Sequence, residues 1–145
     1  MLVCYYCGAP ADTVDHTIPR HFLERIDDPR KAFPGIRHLE VPACRECNST
    51  LSGQLFHTLS ARRECIRKHL RKKYRSYLAI PHWTEEELAE VSPELASMVR
   101  AGLETQRWVV ARVRYAGGKF HPYEHVNAPF TAVLAASKLP TGEDE

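Results

Sequence analysis

The chain has 145 residues, 43% of them apolar, and a formal net charge of +2. That is the size of one domain. No run approaches the roughly 18 consecutive apolar residues of a membrane span, and the opening MLVCYYCG has neither the basic nor the long apolar region of a secretion signal, so a cytoplasmic protein without membrane contact is expected.

In chain order, Leu2 to Tyr6 reads as a short strand, followed by Gly8 and Pro10 as turn residues. Thr13 to Ile18 alternates weakly and stops at Pro19, which predicts a second short strand. His21 to Ile26 has room for one or two helical turns. DDPRKAFPG reads as a loop, and Leu39 to Pro42 as another extended piece. A helix is expected over Arg45 to Phe56, weakened by Gly53, and a stronger one over Thr58 to Leu78, where apolar residues recur at helical spacing between Lys and Arg. TEEE offers Thr84 and Glu87 as a capping box, and Ser92-Pro93 offers an N-cap and N1 pair opening a long helix that ends at Gly117-Gly118. Phe130 to Ser137 is a last apolar segment, and residues 139–145 read as a disordered tail. The fold class expected is α+β: a small cysteine-bearing core over residues 1–57 and a mostly α-helical extension over 58–145.

The mean charge hides an asymmetry. Between Arg62 and Arg75 there are eight Lys/Arg and one acid, whereas Thr84 to Glu94 carries five glutamates and no Lys or Arg. A basic run of this kind is either the solvated face of an amphipathic helix or a phosphate-binding face. The acidic stretch suits helix N-termini. Trp83 and Trp108 are expected to pack helices, and Cys65 to be a small buried hydrophobe.

Four of the five cysteines form two Cys-x-x-C pairs, Cys4/Cys7 and Cys44/Cys47. An odd count without a signal peptide argues against a disulfide framework, and paired Cys-x-x-C units favour a structural, tetrahedral Zn²⁺. A redox pair is the competing reading, but the flanking βαβ pattern is missing. If the pairs share one ion, the chain between Cys7 and Cys44 closes into a loop that brings Asp15-His16, near its start, close to Asn48, at its end. Four thiolates leave zinc no open position, so any chemistry there needs a second metal.

With these residues in place, CYYCG…VDHTIPR…VPACRECNSTLSG resembles the zinc-bearing HNH endonucleases, over about the first third of the chain. The resemblance implies a ββα-metal fold with Asp15 and Asn48 holding a catalytic Mg²⁺ or Mn²⁺ and His16 acting as general base on a water. It implies a nucleic-acid partner, double-stranded DNA first, and products with 5′-phosphate and 3′-hydroxyl ends, in a class common in phages and mobile elements. The chemistry suits the residue types: a hard cation takes oxygen ligands and keeps waters for phosphate to replace, and imidazole can accept a proton near neutral pH. Arg20 and Arg45 are candidate phosphate contacts, joined by Arg62, Arg63, Arg67, Lys68, Arg71 and Lys72 of the basic segment.

One position departs from the family. Its middle Asn, which holds the loop carrying the base, is replaced in RHLEVPAC by His38 or Leu39, depending on alignment. A regular strand also points Asp15 and His16 to opposite faces, so a break from strand geometry is expected there, near Pro19. Asn48 can alternatively serve as a helix N-cap, and Arg20 as a structural ion pair. The competing functional readings are a non-catalytic zinc module that binds nucleic acid or protein, and a structural zinc domain with a helical interaction arm.

Overall fold

The computed structural model describes residues 2–36 and 38–118. The expected apolar segment over 130–137 and the tail over 139–145 lie outside them. The described chain is α+β, with a two-stranded antiparallel sheet, seven helices and a four-cysteine cluster.

The N-terminal segment is a turn rather than a strand. A single bridge, Val3 to Pro10, is the one extended pairing in the described part of this segment. Cys4 and Gly8 close the turn through backbone hydrogen bonds to Ala9 and Cys4. Gly8 sits at φ 75°, and a Cβ there would lie 2.8 Å from the Tyr115 ring. Only glycine suits both the backbone and the space.

Strand β1 (Thr13–His16) pairs with β2 (Glu40–Ala43) in the register Thr13↔Ala43, Val14↔Pro42, Asp15↔Val41 and His16↔Glu40. Two one-turn helices, α1 (Arg20–Leu23) and α2 (Pro29–Ala32), lie between the strands. The second falls inside the expected loop. It forms because Asp28 caps the backbone N–H groups of Arg30 and Lys31 and Pro29 occupies the first turn.

Helix α3 (Arg45–Leu51) follows β2 directly and is shorter than expected. Gly53, at φ 74°, turns the chain away. Its N-cap is Cys44, whose sulfur accepts from Cys47 N, so Asn48 is not the cap and its side chain is left for another task. The basic helix divides at Tyr74 into α4 (Leu59–Lys73), capped by Thr58, and α5 (Arg75–Leu78). The capping box of Thr84 and Glu87 opens α6 (Glu85–Glu90), and Ser92 with Pro93 opens α7 (Pro93–Gly117).

The apolar core is continuous across both parts of the chain. Tyr5, Ile18, Val41 and Leu51 pack in one cluster with Ile66 and Leu70 of α4 and Ala116 of α7. The cysteine-bearing segment and the described helices therefore share a core. Cys65, expected to be a small buried hydrophobe, packs against the core but is only partly buried. Trp108 packs between Tyr74, edge-on at 5.7 Å, and the Arg112 guanidinium, 4.4 Å above its ring. Among the described residues no helix is long and apolar enough to cross a membrane.

Candidate functional site

The sulfurs of Cys4, Cys7, Cys44 and Cys47 all lie within 4.8 Å of one another. Cys7 Sγ and Cys44 Sγ are 3.7 Å apart. A tetrahedron with metal–sulfur bonds of about 2.3 Å has edges of about 3.8 Å, so the cluster has the size that holds a metal ion of that type. The thiols do not titrate independently. Hydrogen bonding to Cys4 draws Cys44 far down and Cys7 to about 7, while Cys4 is raised by Cys44 and Cys47 is raised by Cys4. Four sulfurs competing for protons is the situation that a soft cation relieves, because thiolate is the metal-binding form.

Glu46, between the second pair of cysteines, links this cluster to the helices. It receives Lys73 Nζ at 2.9 Å, His69 Nε2 at 3.2 Å and the Tyr74 hydroxyl at 3.0 Å. Arg112 Nη1 of α7 lies 2.8 Å from Oε1. Burial alone would raise this carboxyl, but the hydrogen bonds from Lys73 and Arg112 prevail and lower it to about 2. The same arginine turns Nη2 toward Cys44 Sγ at 3.9 Å. A buried cation beside a thiolate cluster offsets its negative charge.

Asp15, His16, Arg20 and Asn48 line one cavity of about 270 Å³. The ladder is regular through His16, so the expected break in strand geometry at Asp15-His16 is not found. The chain leaves the strand only after His16. Both residues reach the cavity because it wraps around the strand's end, bounded by Pro19 to His21.

Asp15 is the inward residue of β1, only 3% exposed. An acid takes this position because two buried partners meet it. The Tyr6 hydroxyl donates to Oδ2, and Arg62 Nη2 donates to the same oxygen at 2.8 Å. Arg62 Nε completes the triangle by donating to the Tyr6 oxygen at 3.0 Å, and Nη1 donates to the Gln54 carbonyl at 3.2 Å. With both donors on Oδ2, the Oδ1 atom has no hydrogen-bond donor among the described residues.

Asn48 Nδ2 donates to the Val14 carbonyl at 3.3 Å and to Thr13 Oγ1 at 3.2 Å. A carbonyl only accepts, so the amide's orientation is fixed. Its Oδ1 is likewise without a donor among the described residues. Two oxygens of the kind a hard cation takes are thus available on the two residues expected to hold one.

His16 is half-exposed. Arg20 Nη2 lies 3.1 Å from its Nε2, and Glu40 Oε1 lies 3.8 Å from its Nδ1. Arg45 pairs with Asp12 at 3.1 Å on the surface.

The expected basic contacts divide into two groups. Arg62 and Arg63 are 1% and 6% exposed, and this corrects their assignment to a phosphate-contacting face. Arg62 neutralises Asp15, and Arg63 Nη2 donates to the carbonyls of Tyr115 and Gly118, both at 2.9 Å, at the C-terminal end of α7. Arg67 is held by Glu64. Lys68, Arg71 and Lys72 are exposed and form no ion pair among the described residues. They lie on the side of α4 opposite Leu59, Arg62, Ile66 and Leu70.

Tyr6, Glu40, Glu46 and Arg112 did not stand out in the sequence. Tyr6 carried a weak signal, being between two zinc-type cysteines. Arg62 and Asp15 are 47 residues apart, and no local pattern pairs them. In comparisons with known proteins, no family model matches the chain, and no curated protein and no solved structure does.

Proposed function

We propose that the protein is a metal-dependent nuclease of the HNH type, with a ββα-metal core held by a structural Zn²⁺ on Cys4, Cys7, Cys44 and Cys47. The observation that carries this reading is the shared cavity. Asp15, His16 and Asn48 all line it, and Asp15 and Asn48 each carry an oxygen that accepts from no described residue. The donor set fits Mg²⁺ or Mn²⁺, since two protein oxygens suffice when phosphate and water supply the rest. Such an ion, when bound, would polarise the scissile phosphate and stabilise charge on the departing oxygen.

The remaining steps belong to the protein's own residues. His16 accepts the proton of a water at Nε2, and that water's oxygen forms the new bond to phosphorus as the bond to the 3′ oxygen breaks and the departing 3′ oxygen takes up a proton from solvent water. The products are a 5′-phosphate and a 3′-hydroxyl. Arg20 must leave Nε2 for this to happen, and a substrate phosphate is the natural acceptor for its guanidinium. Lys68, Arg71 and Lys72 add backbone contacts without reading sequence.

Asp15 enters this site already neutralised by Arg62. The ion should therefore bind weakly until a phosphate joins it. Crystals grown with Mn²⁺ and a short duplex test this through anomalous scattering. A peak bridging Asp15 and Asn48, separate from the metal on the cysteines, is the expected result. Metal on the cysteines alone, with duplex bound, contradicts it.

A second reading rests on the same clamp. If Arg62 keeps Asp15 from an ion, the protein is a zinc-stapled module that binds nucleic acid without cutting it. Salt-sensitive binding with no cleavage across a range of divalent metals would favour that reading.

A further inference from the structure

The segment RHLEV, which lacks the Asn of the HNH pattern, contains Glu40. In the ladder Glu40 is the direct partner of His16. Its Oε1 lies 3.8 Å from Nδ1, with the two side chains 36% and 33% exposed. Directly opposed residues on antiparallel strands have Cβ atoms about 5 Å apart, so the register itself sets this contact.

The other ring nitrogen fixes the proton. Arg20 Nη2 is 3.1 Å from Nε2. A guanidinium has donors and no acceptor, so Nε2 must present its lone pair. In the neutral ring the proton is then on Nδ1, facing the Glu40 carboxylate. This is the tautomer that a base acting through Nε2 requires.

We propose that Glu40 is the positioning residue for His16, holding Nδ1–H and so fixing both the ring orientation and the tautomer. The consequence for mechanism rests on the nuclease reading above, whereas the tautomer does not. Arg20 imposes this tautomer only while it sits on Nε2. Once Arg20 moves to a phosphate, Glu40 alone keeps the Nε2 lone pair available to the water. When that water gives its proton to Nε2, the ring becomes a cation between Nε2–H and Nδ1–H, and the carboxylate beside Nδ1 stabilises it. The 3.8 Å separation is longer than a hydrogen bond, and contacts of this kind tighten when substrate is bound.

The test uses long-range ¹H–¹⁵N correlation spectra of His16 in the full zinc-loaded chain, at a pH about two units above the ordinary histidine value near 6.5. Arg20→Ala should still show a protonated Nδ1. Adding Glu40→Ala should move the proton to Nε2, and adding Glu40→Gln should keep it on Nδ1, because the amide oxygen can accept. Retention of Nδ1–H in Arg20→Ala/Glu40→Ala, or its loss in Arg20→Ala alone, overturns the proposal.

Plasmid nicking supplies the second readout. With Arg20 present, Glu40→Ala should lower kcat roughly ten- to hundredfold with KM little changed, and Glu40→Gln should restore most of it. A rise in KM with kcat unchanged contradicts a positioning role. If the spectra shift as expected and no form of the protein nicks DNA, Glu40 orients His16 and the nuclease reading fails on its own.

Discussion

Asp15 has a structural task besides the proposed one of holding an ion, and substitution must separate the two. Its carboxylate accepts from Arg62 Nη2 in a pair whose side chains are 4% and 1% exposed. Asp15→Ala leaves a buried guanidinium without its counter-charge, which typically costs about 3–5 kcal/mol. Urea denaturation should show a loss of that size. Asp15→Ala/Arg62→Met should recover most of it, since replacing both charges by apolar groups is often close to neutral. No recovery would mean that the pair is not the source of the loss. His16 is half-exposed and bears no such load, so its removal reports on chemistry with little effect on folding. The acid beside the histidine is open to view in the sequence, but the arginine beneath them is not, because the pairing depends on how α4 lies across the sheet.

At the scale of elements, α4 carries both faces of the basic segment. Composition alone could not divide them, since eight cations in one run look alike. Burial separates them by angle: Leu59, Arg62, Arg63, Ile66 and Leu70 face the core, and Lys68, Arg71 and Lys72 face out. Replacing Lys68, Arg71 and Lys72 with Ala should weaken duplex binding and lower the slope of log affinity against log salt by about 1 for each phosphate that is no longer neutralised. The measurement is a salt series by fluorescence anisotropy, and an unchanged slope would make this face merely solvated. The helix starts were legible at Thr84 and Ser92 because caps are local chemistry. The break at Tyr74 and the one-turn helix at Pro29 were not, because helical periodicity barely registers an interruption of one residue or an element of four. The N-terminal segment departs from its expected strand for a related reason: the turn between Cys4 and Cys7 overrides the β-propensity of its tyrosines.

Over the whole molecule, the cysteine cluster and the helices are one structure. Spacing points to a separable core ending near residue 57, but spacing could not show that Glu46 of the second cysteine pair would be gripped by α4 and α7 at once. Removing the metal with a chelator should therefore reduce helicity at 222 nm as well as disturb the cysteines. Glu46→Ala leaves Arg112, 3% exposed, without its carboxylate, and should cost about 3 kcal/mol. It should also speed metal release to a chromogenic chelator. Helicity unaffected by chelation would instead mark the helices as independently folded.

The most direct test of the nuclease reading is supercoiled plasmid incubated with Mg²⁺ or Mn²⁺ and either the wild-type protein or His16→Ala. The wild type is expected to convert plasmid to nicked or linear forms only when a divalent ion is present, and His16→Ala to fall at least about a hundredfold in rate while keeping its zinc. Equal cleavage by both proteins, or none by the wild type with any divalent ion, would contradict the assignment.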